Sequence, residues 1–245
     1  MASINTNYGA AIALQNLNKT NSELERTQNR INTGMKVSSA KDSGAIFSIA
    51  TSQRANAASQ DAVRSGLQRT QSITDVALAA GDTVTTALEE MKSLAVSIAS
   101  STGAAQTSYL AEYNALGTEI SGAISGASFD GVNSLTTLGA NAAITAVNTG
   151  SVTAANATTA NVDAAITATT GALATLGTQS KSLGRQITFV NKLQDALEAG
   201  VGNLVDADLA KESAKLTALQ TKQQLGVQAL SIANSSSQVL LGLFR

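Results

Sequence analysis

Cysteine, histidine, proline and tryptophan are all missing from these 245 residues, and only 4 Phe and 3 Tyr supply aromatic rings. Without cysteine there are no disulfides, thiolate metal sites or thiol nucleophiles. Without histidine the usual general base and the commonest metal ligand are gone, and with them the paired-His helices of zinc hydrolases. Without proline nothing breaks a helix outright, and so few aromatics are poor material for large β-sandwich cores. Charge is scarce and balanced, Lys+Arg 16 against Asp+Glu 17 for a net charge of -1, so no long-range field draws the chain to nucleic acid or acidic lipid. No apolar run is long enough to span a membrane. The opening "MASINTNYGAAIALQNLNKT" has no basic stretch ahead of its apolar patch and does not read as a Sec signal peptide; export from the cell would need another route. "GAAIAL" lacks the spacing of a nucleotide loop and no carboxylates are paired in a readable pocket, so no catalytic residue, cofactor or metal is expected, and no enzyme.

What is present is apolar spacing of alternating threes and fours, the signature of helices packed side by side. Val162, Ile166, Leu173, Leu176, Leu183, Ile187, Val190, Leu197, Val201 and Leu204 follow it, interrupted at Thr169, Ser180 and Gln194. At "DADL" the register steps, and a second seam runs through Val205, Leu209, Leu216, Leu219, Leu230, Ala233, Leu240 and Phe244. In the first half Leu17, Leu24 and Ile31 sit seven apart, and "NTGMKVSSAKDSG" then interrupts with Gly34, Gly44 and small polar residues. A helix over 44–100 follows, about 85 Å long at 1.5 Å per residue. Its seam includes Ile46, Ile49, Val63, Leu67, Ala77, Val84, Leu88, Met91, Ala95 and Ile98. A helix over about 105–127 carries Leu110, Tyr113, Ile120 and Ile124, and one over about 162–200 returns. Between them the Gly/Asn/Thr-rich stretch with its "DG" and "TG" pairs predicts a β-hairpin at about 129–150, with strands over 132–138 and 143–148.

The expected fold class is mainly α: an elongated helical-bundle or coiled-coil hairpin, its N- and C-terminal helices paired, with a small β-hairpin in the middle. Both ends are narrow seams interrupted by Asn18, Glu25 and Asn32 on one side and Glu212, Gln223 and Ser237 on the other. So few apolar residues do not offset the entropy of ordering both ends. Yet the chain closes on "SSSQVLLGLFR", one of its densest apolar runs, where chains ordinarily fray. From periodicity the seams fit an intramolecular coiled coil as well as an assembly interface; burial against further copies of the same chain is the second way to resolve the conflict.

Four segments carry a resemblance. "RINTGMKVSSAKDSGAIFSIA" at 30–50, "SLAVSIASST" at 93–102, "SFDGVNSL" at 128–135 and "QALSIANSSSQVLLGLFR" at 228–245 resemble bacterial flagellin, in the family's order over both terminal thirds. The stretch 136–170 departs, being a short Thr/Ala/Asn-rich connector where many flagellins insert large outer domains. The resemblance implies a filament subunit of the swimming organelle, extracellular, exported unfolded through the flagellar type III channel without a cleaved signal peptide. Its implied partners are many copies of itself, other flagellins, the export apparatus, a C-terminal export chaperone, the filament cap and the hook-junction proteins; no nucleic acid and no membrane. Residues 1–40 and 205–245 would form the inner-tube domain and 41–204 the rod domain. The alternatives are a hook-filament junction protein, which shares the terminal pattern, and a helical signalling hairpin of the chemoreceptor kind, which the Gly/Thr-rich middle argues against.

From the seams and the resemblance together, the self-assembly interface is assigned to Leu17, Leu24, Ile31, Leu209, Leu216, Leu230, Leu240 and Phe244. Ser39, Lys41, Asp42 and Gly44 are read as a hinge and cap loop, since Ser and Asp cap helices well. "LEEMKSLAV" overlays the region that toll-like receptor 5 reads in stimulatory flagellins, with Glu90 where an Arg is expected; a carboxylate there loses a charge-assisted bond, so weak activation is expected. Thr153, Thr158, Thr159 and Thr167 of the connector region are candidates for O-glycosylation.

Overall fold

The computed structural model describes residues 7–137, 144, 145, 147 and 152–243, with side chains except those of 137 and 236–243. Among the described residues the uninterrupted helices are, in order, α1 (Tyr8–Thr33), α2 (Gly44–Ser100), α3 (Ala104–Gly126), the single turn α4 (Ser134–Thr137), α5 (Thr159–Val205) and α6 (Leu209–Leu243). The chain is mainly α, as its spacing predicts.

Local chemistry sets these ends. Asn7 caps α1, its Oδ1 accepting from the Ala10 amide at 3.0 Å, and Gly34 ends the helix in the left-handed conformation (φ 69°) that a side chain disfavours. The Ser43 hydroxyl accepts from Ile46 N at the start of α2. Beyond α2, the Gln106 amide donates to Ile98 O and Ser101 O, both at 3.1 Å, satisfying carbonyls that the helix end leaves open. Asp208 caps α6, Oδ1 accepting from Ala210 N at 3.0 Å and Lys211 N at 3.1 Å. The register step at "DADL" is therefore a break between α5 and α6.

The chain divides into two compact units, one of residues 1–58 with 195–245 and one of Ser59–Gln194, the boundaries falling within α2 and α5. The larger core belongs to the second unit. Val84, Leu88, Met91 and Ile98 of α2 are fully buried there with Tyr113 and Ile120 of α3 and Val162 and Leu176 of α5. Gly81 allows α2 and α5 to approach closely, since a methyl there would stand 2.2 Å from Leu173 Cδ2. In the first unit Val37, Ala50, Val201 and Val205 form a small cluster, with Ile46 and Phe47 packed on it.

Two expectations need correction. Ile49 and Val63 are half exposed rather than in the α2 seam. The inner positions there are Ala50 and Ala57, seven apart, so small residues line the seam and the neighbouring large one faces out. The β-hairpin at about 129–150 is not what the described residues of that stretch form. Phe129 and Val132 exchange two backbone hydrogen bonds of 3.0 Å across Asp130 (φ 52°) and Gly131 (φ 75°), a tight turn with both central residues left-handed. Asn133 then accepts from Leu135 N and Thr136 N and starts α4, burying Leu135, while Ile144, Thr145 and Val147 are helical. A helix cap directly after the turn takes the amides that a strand would have paired. The rest of the second expected strand lies outside the described residues.

Tyr113 illustrates what the second unit's core costs. Its hydroxyl is buried without a hydrogen-bond partner among the described residues, and burial pushes the phenol up from 10.0 to about 12. The folded state keeps a proton that the unfolded chain releases, so this contribution to stability is complete below pH 10 and is lost as pH rises towards 12. Tyr113→Phe is expected to stabilise the unit by about 1 kcal/mol at neutral pH, because it deletes an unsatisfied group while keeping the ring. The gain should widen above pH 10, read from thermal melts across pH 7–12.

Candidate assembly site

The first unit places the two terminal helices side by side and antiparallel. Asn7 Nδ2 donates to Ala233 O (2.8 Å), Gln223 Nε2 donates to Asn21 Oδ1 (2.8 Å), and Arg30 pairs with Glu212 (3.0 Å), so higher numbers of α1 meet lower numbers of α6. The same register puts Leu17 against Gly226, where an added methyl would meet Leu17 Cδ1 at 3.3 Å. At the open end of the pair the loops knit together: Lys36 N donates to Val205 O (2.7 Å), Ala207 N to Gly34 O (2.9 Å) and Lys36 Nζ to Asn203 O (2.9 Å).

The seam between α1 and α6 is thin. Thr20 and Thr27 of α1 are buried along with Leu219 and Glu212 of α6, while Leu17, Leu24, Ile31, Leu216 and Leu230 are only half buried. Leu209, at the first turn of α6, is half exposed. Leu240 lies in α6 with its side chain outside the described residues, and Phe244 lies wholly outside them. Two of the polar interruptions in the sequence are partners across the pair, Glu212 with Arg30 and Gln223 with Asn21; sequence spacing had no means of matching them. The pairing is incomplete, for Arg30 Nε and Glu212 Oε2 are buried without partners among the described residues.

The loop ahead of α2 is tied by one carboxylate. Asp42 Oδ2 accepts from the amides of Ser38 and Ser39, both at 3.1 Å, and from their hydroxyls at 3.2 and 3.1 Å. These bonds, the Ser38 amide foremost, hold the Asp42 carboxyl below its ordinary 3.8. Its hold on the loop is thus complete above pH 3.8 and is released as pH falls further, through the folded-state value. Lys41 is exposed, and Gly44 opens α2 with free space around it. Asp42→Asn is expected to loosen the loop already at neutral pH, seen as faster tryptic cleavage after Lys41, with far-UV circular dichroism unchanged.

The remaining candidates lie in the second unit. Glu90 is exposed on α2. Thr153 is exposed, and Thr158 accepts from Asn161 N at 3.3 Å to cap α5. Thr159 is the first residue of α5, and the Thr167 hydroxyl donates to Asp163 O at 2.8 Å. Among the described residues no group of His, Cys, Asp and Glu could hold a metal ion, and no helix is long and apolar enough to cross a membrane.

Comparison with known proteins matches both of these helical ends to one family. The bacterial flagellin N-terminal helical region matches residues 4–140, and the bacterial flagellin C-terminal helical region matches 159–244. Flagellin FljN of Caulobacter vibrioides is 55% identical and flagellin FljK of the same organism 51%, each alignment covering 99% of this chain and 98% of the relative. A flagellin of Brucella melitensis is 36% identical over the full length of both chains. Matched at both helical ends and along its whole length, the chain belongs to the bacterial flagellins and is a structural subunit that polymerises into the extracellular flagellar filament.

Proposed function

We propose that the α1–α6 pair is the part of the subunit that the polymer completes: residues 1–40 and 205–245 form the inner-tube domain and 41–204 the rod domain. The observation that carries this reading is the apolar surface that the pair leaves open. Tyr8 is 72%, Ile12 58%, Leu225 60% and Ile232 69% exposed, whereas the second unit has a fully buried core of its own. A monomer rarely leaves so much apolar surface on two adjacent helices without a partner for it. Leu17, Leu24, Ile31, Leu209, Leu216, Leu230, Leu240 and Phe244 take part in that burial, and the loop of Ser39, Lys41, Asp42 and Gly44 is the hinge between the two domains. Amide exchange tests it. Residues 8–33 and 209–243 should exchange freely in dilute monomer and become protected in filaments, with 77–124 protected in both. Protection of both tails in the monomer overturns the reading.

Export follows from the same chemistry. A chain without cysteine, whose ends gain order only on assembly, suits passage unfolded through the type III channel, with a chaperone masking the C-terminal apolar segment and the cap and hook-junction proteins receiving it outside. Exposed Glu90 makes the subunit a weak ligand of toll-like receptor 5. Glu90→Arg should raise reporter-cell signalling by purified monomer about tenfold, a single charge-assisted contact being worth that much; equal signalling from both forms would refute the idea. Of the four candidate threonines Thr153 alone is exposed and outside any helix, which favours it for O-glycosylation; an intact filament mass equal to that of the bare polypeptide removes it.

A further inference from the structure

The two flanks of the α1–α6 pair differ. On one lies a groove of about 390 Å³ between Ala13 and Leu17 of α1 and Gly226 and Ala229 of α6. Ala13 and Ala229 leave it open, and Gly226 lets Leu17 pack close, an added methyl there meeting Leu17 Cδ1 at 3.3 Å. Leu225 borders it, and Ile232, one heptad on and so on the same face of α6, extends the apolar rim. Around the opposite side of α6 run Ser213, Thr217, Gln220 and Ser231. On that flank Leu14 and Val227 stand together, both half exposed and level with one another in the antiparallel register, while half-exposed Leu209 lies about five turns away at the far end of α6.

We propose that neighbouring subunits join side by side through these two features, the Leu14–Val227 knob of one copy seating in the Ala13–Gly226–Ala229 groove of the next. This rests on the reading of the α1–α6 pair as the polymer interface and specifies its geometry. The occupant is a second copy because a homopolymer must carry both halves of its contact on one chain. Two different patches also make a heterologous contact, which propagates; a patch meeting itself closes as a dimer. Knob and groove lie at the same height on opposite flanks, the placement that lateral neighbours need. The rim agrees in charge: exposed Lys222 borders the groove, and exposed Glu25 is the acidic residue on the knob flank of α1.

The absence of cysteine makes the test clean. Val227→Cys and Ala229→Cys are combined in one chain; two residues apart on a helix, their side chains point to opposite flanks and do not meet within the chain. Filaments of the double variant treated with diamide should give a ladder of dimers, trimers and higher species on a non-reducing gel, and each single variant should stay monomeric on the gel. Filaments without a ladder, or dimers from Ala229→Cys alone, overturn the knob-and-groove pairing. Those results leave the α1–α6 reading standing, since amide protection judges it separately. Should the double variant not assemble, Ala229→Leu fills the groove and Val227→Asp removes the knob. Each is expected to raise the critical concentration at least about tenfold. An equimolar mixture should sediment as a one-to-one dimer, because one working knob and one working groove remain. Unchanged critical concentrations, or a mixture that stays monomeric, refute the pairing.

Discussion

A subunit lacking residues 235–245 is expected to form no filaments at any attainable concentration, while its second unit melts as in the full chain. The removed segment carries Val239, Leu240, Leu241, Leu243 and Phe244. Each such side chain contributes about 1.5–3 kcal/mol when fully buried. If the polymer buries even half of that surface, the loss per subunit is about 4–7 kcal/mol, a rise of roughly a thousandfold or more in critical concentration. The second unit has a buried core of its own, from Ala77 to Leu176, and its melt reads that core. Electron microscopy after seeding reads the first half of this expectation, and a thermal melt of the unassembled subunit reads the second. Normal filaments from the shortened chain would contradict the role given to the closing helix.

Much of this architecture is legible in the sequence because its signals are local. Gly34, Gly44 and the "SSTG" stretch before α3 punctuate a chain with no proline, and α2 begins and ends at 44 and 100, where the spacing puts it. The register step at "DADL" marks a real break because Asp208 caps the next helix. Errors arose where the decisive partner was remote or small. Apolar spacing picks large side chains, so it chose Ile49 where the buried position is Ala50. Turn chemistry at Asp130–Gly131 was visible, but that Asn133 would start a helical turn depended on Leu135 finding the core. The proposed assembly surface is legible in kind, as apolar ends too thinly sealed for one molecule, but not in detail. A groove made by Ala13, Gly226 and Ala229 leaves no mark in a hydrophobic pattern, since what defines it is missing volume.

The same limit hid the Arg30–Glu212 pair, 182 residues apart in sequence, where Glu212 reads only as a flaw in a seam. Glu212→Ala should be the most damaging single substitution in the α1–α6 pair. It removes the 3.0 Å contact and leaves the Arg30 guanidinium, already without a partner at Nε among the described residues, held against α6. Breaking a fully buried pair costs about 3–5 kcal/mol. The Arg30 side chain keeps 27% of its exposure, so water screens part of the orphaned charge and about 2 kcal/mol is the reasonable figure. Expressed per subunit in a filament, that is about a 30-fold rise in critical concentration. Replacing both partners with leucine, Arg30→Leu with Glu212→Leu, should recover most of the loss, because the desolvation of two charges disappears together with their attraction. Sedimentation of filaments over a dilution series distinguishes the outcomes. If the double variant polymerises no better than Glu212→Ala, the pair supplies geometry that leucines cannot, and the electrostatic account of it fails.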